Sequence, residues 1–143
     1  MEVGELMTTD VKSVTESASL AEAVGVMLEA DVGSVIVVDE DVPVGIVTET
    51  DVLRTAYSRD VRFSEIRVNE AMTAEVITIE PESTVRRAVE SMNENHVKKL
   101  PVVSDFEVVG IVTLSDVVRE HLTLISEAEG RRKRREDWFA EDD

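Results

Sequence analysis

The stretch Val44-Gly45-Ile46-Val47-Thr48-Glu49-Thr50-Asp51 returns 65 positions later as Val109-Gly110-Ile111-Val112-Thr113-Leu114-Ser115-Asp116. In both copies a β-branched run reads as a strand, and the threonine with an acidic residue in the next turn reads as a helix start. The same shift, without a gap, lays Val3-Gly4-Glu5-Leu6-Met7-Thr8 on Val68-Asn69-Glu70-Ala71-Met72-Thr73. It lays Ala23, Val24 and Met27 on Ala88, Val89 and Met92, Val37-Val38 on Val102-Val103, and Arg54 on Arg119. A valine-rich chain matches itself by chance at valines. It does not thereby bring glycines, methionines, threonines and aspartates into one register. The chain is an internal duplication, and each copy is one folding unit that needs its neighbour to complete a core.

Each copy reads β-α-β-β-α, an α+β pattern. Val11 to Val14 and Val76 to Ile79 are short extended pieces. A helix follows in each copy. In the first, Ser19-Leu20-Ala21-Glu22 has the form of a capping box, and Leu20, Ala23, Val24, Met27 and Leu28 recur at helical spacing. In the second, Thr84 takes the cap position ahead of Val85, Ala88, Val89 and Met92. Val35 to Val38 and Val44 to Val47 then flank the turn residues Asp39-Glu40-Asp41, a hairpin signature. Leu100 to Val103 and Val108 to Val112 flank Ser104-Asp105 in the same way. The expected organisation is one repeat over residues 1–60, a second over 61–125, and a charged tail over 126–143. The polar segment Tyr57 to Arg67 joins the repeats.

The composition narrows the function. Hydrophobic residues make up 43% of the 143 positions and aromatics only 3%, so the core is aliphatic. With no cysteine, a disulfide framework, a thiolate nucleophile and a cysteine metal site are all excluded. No apolar run approaches the ~20 residues that span a bilayer. The acidic start Met1-Glu2-Val3-Gly4-Glu5 carries no signal-peptide pattern, so the expected location is cytoplasmic. The formal charge of −16 repels nucleic acid and anionic membranes at long range. It suits either a high-salt, halophilic cytoplasm, where a Debye length of ~3 Å at 1 M screens self-repulsion, or an ordinary acidic surface. The basic run Arg131 to Arg135 lacks interleaved aromatics and is followed by acids, which favours a solvated helix extension over a nucleic-acid contact. Trp138-Phe139 reads either as a contact with a second subunit or as part of a disordered terminus.

The Gly-Ile-Val-Thr-x-x-Asp motif supports two readings. As chemistry, the threonine hydroxyl can donate to phosphate, backbone N–H groups at a helix start meet an anion, and an ionised aspartate accepts from vicinal ribose hydroxyls. As structure, the same residues make a good helix cap. Both roles can coexist. His96 and His121 have no cysteine or second histidine at ligand spacing, so no metal site is expected. No Cys–His or Ser–His pair falls in a catalytic motif, and an enzyme is the least supported class.

The ordered pieces — the Val-x-Glu-x-Met-Thr openings, the Ala-Val-x-x-Met helices, the apolar hairpins and both Gly-Ile-Val-Thr-x-x-Asp endings — resemble the CBS-domain family over about residues 3 to 122. Two copies resemble its paired form, the Bateman module. That resemblance implies two repeats packed about a pseudo-twofold axis, with clefts between them for an adenosine-containing regulatory ligand such as AMP, ADP, ATP or S-adenosylmethionine and no obligatory cofactor. It places the ribose-binding acid at Asp51 and Asp116, and ribose or phosphate contacts at Thr48, Thr50, Thr113 and Ser115. Base contacts, partly through backbone, fall at Ser13, Val14, Thr78 and Ile79. Lys98 and Lys99, just before the Leu-Pro strand, match a phosphate-contacting position where the first copy has no charge. The resemblance also implies a homodimer formed through helices, which signals to an effector protein. The alternatives from other classes are a scaffold whose clefts stay empty and nucleic-acid binding through the tail.

Overall fold

The computed structural model describes the backbone of residues 1–139 and the side chains of residues 1–130. The first repeat contains α1 (Val3–Leu6), β1 (Ser13–Thr15), α2 (Leu20–Ala30), β2 (Ser34–Asp39), β3 (Val42–Thr48) and α3 (Glu49–Ser58). After a single 3-10 turn at Phe63–Glu65, the second contains α4 (Val68–Ala71), α5 (Val85–Asn95), β4 (Lys99–Ser104), β5 (Glu107–Thr113) and α6 (Leu114–Phe139). The fold is α+β, as the alternating periodicities predict.

Local chemistry sets the element ends. Ser19 Oγ accepts from the Glu22 N–H at 3.1 Å and Thr84 Oγ1 from the Arg87 N–H at 3.0 Å, so α2 and α5 start where the caps stand. At Ser19 the hydrogen bonding is the serine half of the predicted box. Both helices end on a left-handed residue, Asp31 and His96, each at φ 54. Leu20, Ala23 and Met27 are buried, whereas Leu28 is 76% exposed. The expected five-residue face is therefore narrower: position 28 is rotated by about 100° from Met27, away from the core. Each hairpin turns on two residues of positive φ, Glu40-Asp41 and Asp105-Phe106, the geometry whose twist matches the flanking strands.

The opening strands differ between the copies. β1 pairs in parallel with β2 over three residues, Ser13 with Ile36 through Thr15 with Val38, slightly beyond the expected Val11–Val14. Val76 to Ile79 forms no strand and touches β4 by a single bridge, Ile79 to Val102. Proline is the reason. The Ile36 N–H donates to the Lys12 carbonyl at 3.1 Å in the first repeat, but its counterpart Pro101 has no N–H to offer Ile77.

The cores are built by exchange. Ile66, at the end of the linker, and Val68, just beyond it, are buried with Leu20, Val35 and Val47 of the first repeat. Val3, from the N-terminus, is buried with Leu100, Val102 and Val112 of the second. The hydrogen bonds repeat the exchange with a 65-residue offset: Leu20 N–H to Ile66 O at 2.8 Å mirrors Val85 N–H to Met1 O at 3.0 Å, and Thr73 bridges Ile46 as Thr8 bridges Ile111. Met72 lies over Gly45 and Met7 over Gly110, so closely that a β-carbon at either glycine would overlap the thioether arm. The glutamates of the repeated openings hold their short helices. Glu5 accepts from the Glu2 N–H at 2.7 Å and Glu70 from the Arg67 N–H at 2.8 Å. Strands β3 and β5 approach each other where the two repeats meet.

Helix α6 runs without a break from Leu114 to Phe139, through the position where the tail was expected to begin. The side chains of Arg131 to Arg135 and of Trp138-Phe139 lie outside the described residues.

Candidate functional site

β3 delivers Thr48 to the N-terminus of α3, and Asp51 closes the first turn from below. Asp51 Oδ2 accepts from the Thr48 N–H at 2.9 Å and from the Thr48 hydroxyl at 3.1 Å, while Thr48 Oγ1 faces the Asp51 N–H at 3.3 Å. Asp51 Oδ1 meets only longer partners, the Thr73 hydroxyl at 3.4 Å and Arg54 at 3.5 Å. The Asp51 side chain is 6% exposed. β5 and α6 rebuild the arrangement: Asp116 accepts from the Thr113 N–H at 3.1 Å, Thr113 Oγ1 accepts from the Asp116 N–H at 3.1 Å, and Arg119 reaches Asp116 at 3.2 Å. The capping role read from the sequence is thus formed in both copies. Capping and ligand contact remain compatible at Asp51, because one carboxylate oxygen carries the cap and the other has only long contacts.

A cavity of about 470 Å³ opens beside α3. Thr48, Thr50, Lys98 and Lys99 line it, together with the apolar Val76 and Ile77. Residues from both repeats therefore meet in one cleft. Asp51 stands behind it and holds Thr48 and Thr73, which do line it. A second cavity of about 500 Å³ gathers Thr113, Ser115, Lys98 and Lys99 at the start of α6.

The expected base-contacting residues do not join this cluster. Thr78 and Ile79 line a different cavity, beneath the Phe106 hairpin tip. Ser13 lines a groove with Lys12 and Glu29, and Val14 packs against the first core. The extended segment does reach the first cleft, but through Val76 and Ile77. Pro101, which keeps that segment out of the sheet, is the signal that marks its course. The sequence reading assigned no ligand contact to Gly33, Glu49, Glu75 or His96, all of which line the first cavity.

Charge in the first cleft is mixed. Lys99 is half-buried, and removal from water pushes its ammonium below the ordinary lysine range; Glu49 and then Asp116 act in the opposite direction. Among the described residues no cluster of histidine, cysteine, aspartate and glutamate could hold a metal ion. Among the same residues no helix is long and apolar enough to cross a membrane.

Comparison with known proteins agrees with this architecture. The CBS domain family matches the chain twice, over residues 3–58 and 67–122. The CBS domain-containing protein YhcV of Bacillus subtilis is 33% identical over 117 residues, which is 80% of this chain and 81% of that protein. The crystal structure of the CBS-domain containing protein ATU1752 from Agrobacterium tumefaciens superimposes with a TM-score of 0.77 at 28% identity, covering 85% of this chain and 99% of that one. The CBS domain pair of protein MJ0100, in complex with 5'-methylthioadenosine and S-adenosyl-L-methionine, superimposes with a TM-score of 0.76 at 25% identity over 85% of this chain and 95% of that one. With two matches in tandem and an exchanged core that ties them together, the chain belongs to the CBS-domain family and is a pair of its domains.

Proposed function

We propose that the chain is a regulatory module that binds an adenosine-containing ligand in the cleft beside α3 and reports its occupancy to an effector protein. One observation carries the reading: Thr48 and Thr50 of one repeat and Lys98 and Lys99 of the other meet around a single cavity of about 470 Å³. Hydroxyls and ammonium groups suit phosphate or ribose, and Val76 and Ile77 offer an apolar surface to a base. Asp51 Oδ1, with only long contacts, is the ribose acceptor, and Asp116, whose Oδ1 takes Arg119 at 3.2 Å, is its counterpart at the start of α6. The adenosyl ligands in the MJ0100 complex support the ligand class. Because the cleft walls come from both repeats, a ligand that prefers one relative arrangement shifts its population, and that shift is the signal.

Self-association through helices fits the exposed apolar side chains. Leu53 and Tyr57 on α3 are 70% and 94% exposed, and their counterparts Val118 and Leu122 on α6 are 48% and 56% exposed. The four positions correspond by the 65-residue offset, and an exposed apolar pair on each helix suits a second copy of the chain.

A second reading, a scaffold with unoccupied clefts, is favoured by the capping bonds that already engage Asp51 and Asp116. A thermal-shift panel of adenosine, AMP, ADP, ATP and S-adenosylmethionine in concentrated potassium chloride decides between them. A ligand at 100 times its dissociation constant stabilises the fold by about 2.7 kcal/mol. No shift with any adenosyl compound rejects the sensing reading and leaves the scaffold.

A further inference from the structure

The two cavities share both lysines but differ in the residue after the threonine. Glu49 follows Thr48 in the first; Leu114 follows Thr113 in the second. The Glu49 N–H is anchored to the Gly33 carbonyl at 3.1 Å. A β-carbon placed on Gly33 would lie 3.1 Å from Glu49 Oε1 and 3.2 Å from Lys99 Nζ. The carboxylate and the ammonium therefore converge over Gly33, inside the first cleft, where a β-carbon would press on both tips. Among the described residues Lys99 makes no ion pair within 4.0 Å, so the two tips are near each other without being locked together.

We propose that Glu49 is a specificity-determining residue, an internal anion that competes with a ligand's phosphate for Lys99 and turns the first cleft toward uncharged adenosyl ligands. The inference rests on the adenosyl reading above. A phosphate entering the first cleft meets a lysine already compensated by a carboxylate, and it adds a second negative charge beside the first. An uncharged ligand meets neither cost. In the second cavity Leu114 stands where Glu49 stands in the first and adds no charge of its own, and the anion near Lys99 on that side is Asp116, whose effect ranks after that of Glu49. Burial strengthens the competition, because a half-desolvated ammonium gains more from one nearby anion than an ammonium in water does.

His96 lines the first cavity and is one of only two histidines, so its ring resonances report that cavity separately from the second. The full chain, at fixed ionic strength, is titrated with adenosine and with AMP while the His96 ring is followed by NMR. Glu49→Gln tightens AMP about five- to tenfold and changes adenosine less than about twofold, since only the charged ligand feels the removed carboxylate. Glu49→Leu, which copies the second repeat, does the same. In a Lys99→Met background the AMP gain falls below about twofold, because the group being competed for is gone. The proposal is overturned if both Glu49 variants leave AMP affinity unchanged, if adenosine tightens equally, or if the gain survives loss of Lys99. If adenosine moves His96 in every variant while Glu49 has no effect, the adenosyl reading stands and the role of Glu49 does not. If neither compound moves His96 in any variant, both fall together.

Discussion

Replacing Gly45 by alanine tests the exchanged core directly. The added methyl overlaps Met72 Sδ and lies 2.9 Å from Met72 Cγ and 3.1 Å from Cε. Every clashing atom belongs to one unbranched thioether arm, which can swing aside at modest cost. The expected destabilisation is about 1–2 kcal/mol, the lower part of the overpacking range. Gly110→Ala meets Met7 Sδ at 2.6 Å and Cγ at 2.9 Å, but also the Thr8 carbonyl oxygen at 2.9 Å. That carbonyl accepts from the Ile111 N–H at 2.9 Å and cannot retreat without weakening the bridge. One hydrogen bond adds about 1 kcal/mol, so Gly110→Ala is expected to cost about 2–4 kcal/mol. Urea unfolding followed by circular dichroism, at one potassium chloride concentration, measures both variants. Combining each with a methionine truncation separates the contacts. Gly45→Ala with Met72→Ala shows a favourable coupling of about 1 kcal/mol or more. Gly110→Ala with Met7→Ala recovers only part of its loss, and Gly45→Ala with Met7→Ala is additive to within about 0.5 kcal/mol. Coupling of Gly45 to Met7 in place of Met72 would refute the exchange, as would a milder effect at Gly110 than at Gly45.

Asp51→Asn is expected to cost about 1–2 kcal/mol of stability, because an amide cannot reproduce the charge-assisted bonds from the Thr48 N–H and hydroxyl. Asp116→Asn, without the counterparts of the Thr48 hydroxyl and Thr73 bonds, is expected to cost less than about 1 kcal/mol. Each substitution weakens adenosyl-ligand binding in its own cleft roughly ten- to a hundredfold by calorimetry, and unchanged affinity in both variants removes the ribose assignment. With a formal charge of −16, the unfolding midpoint rises from low salt to molar potassium chloride; a flat or falling midpoint removes the case for a halophilic setting. Truncation after Ser126 shortens α6 but keeps Leu114 and Val117, which pack on the second core. It leaves a cooperative transition and ligand binding intact, and loss of that transition would show that the second repeat needs the rest of the helix.

Much of the fold was legible because its determinants are local. The caps Ser19 and Thr84, the hairpin turns and the threonine–aspartate helix starts each act within a few residues, so a linear pattern carries them. Leu28 was misplaced because helical spacing sets the direction of a side chain and not the width of the surface that covers it. The second opening strand was misplaced for a related reason. Val76 to Ile79 has the residue types of a strand, yet strand formation needs a donor on the neighbour, and Pro101 lies 22 residues beyond Ile79.

By itself the sequence determined that the chain is a duplication, which residues correspond, what kind of elements they form, and that no cysteine chemistry is present. It determined that Thr48, Thr50, Lys98 and Lys99 are candidates. Only the tertiary structure decided which of them meet. Self-alignment makes Met7 equivalent to Met72 and Gly45 equivalent to Gly110, but it is silent on whether a methionine covers the glycine of its own repeat or of the other. The linear hydrophobic pattern is the same for either pairing, whereas the bonds of Thr73 to Ile46 and of Thr8 to Ile111 join residues far apart in the chain. The choice depends on how the linker routes Ile66 and Val68 into the first core and on how Val3 reaches the second, which are contacts between residues far apart in the chain. That choice brings Lys98 and Lys99 of one repeat to Thr48 and Thr50 of the other, and it sets Glu49 against Lys99 over Gly33.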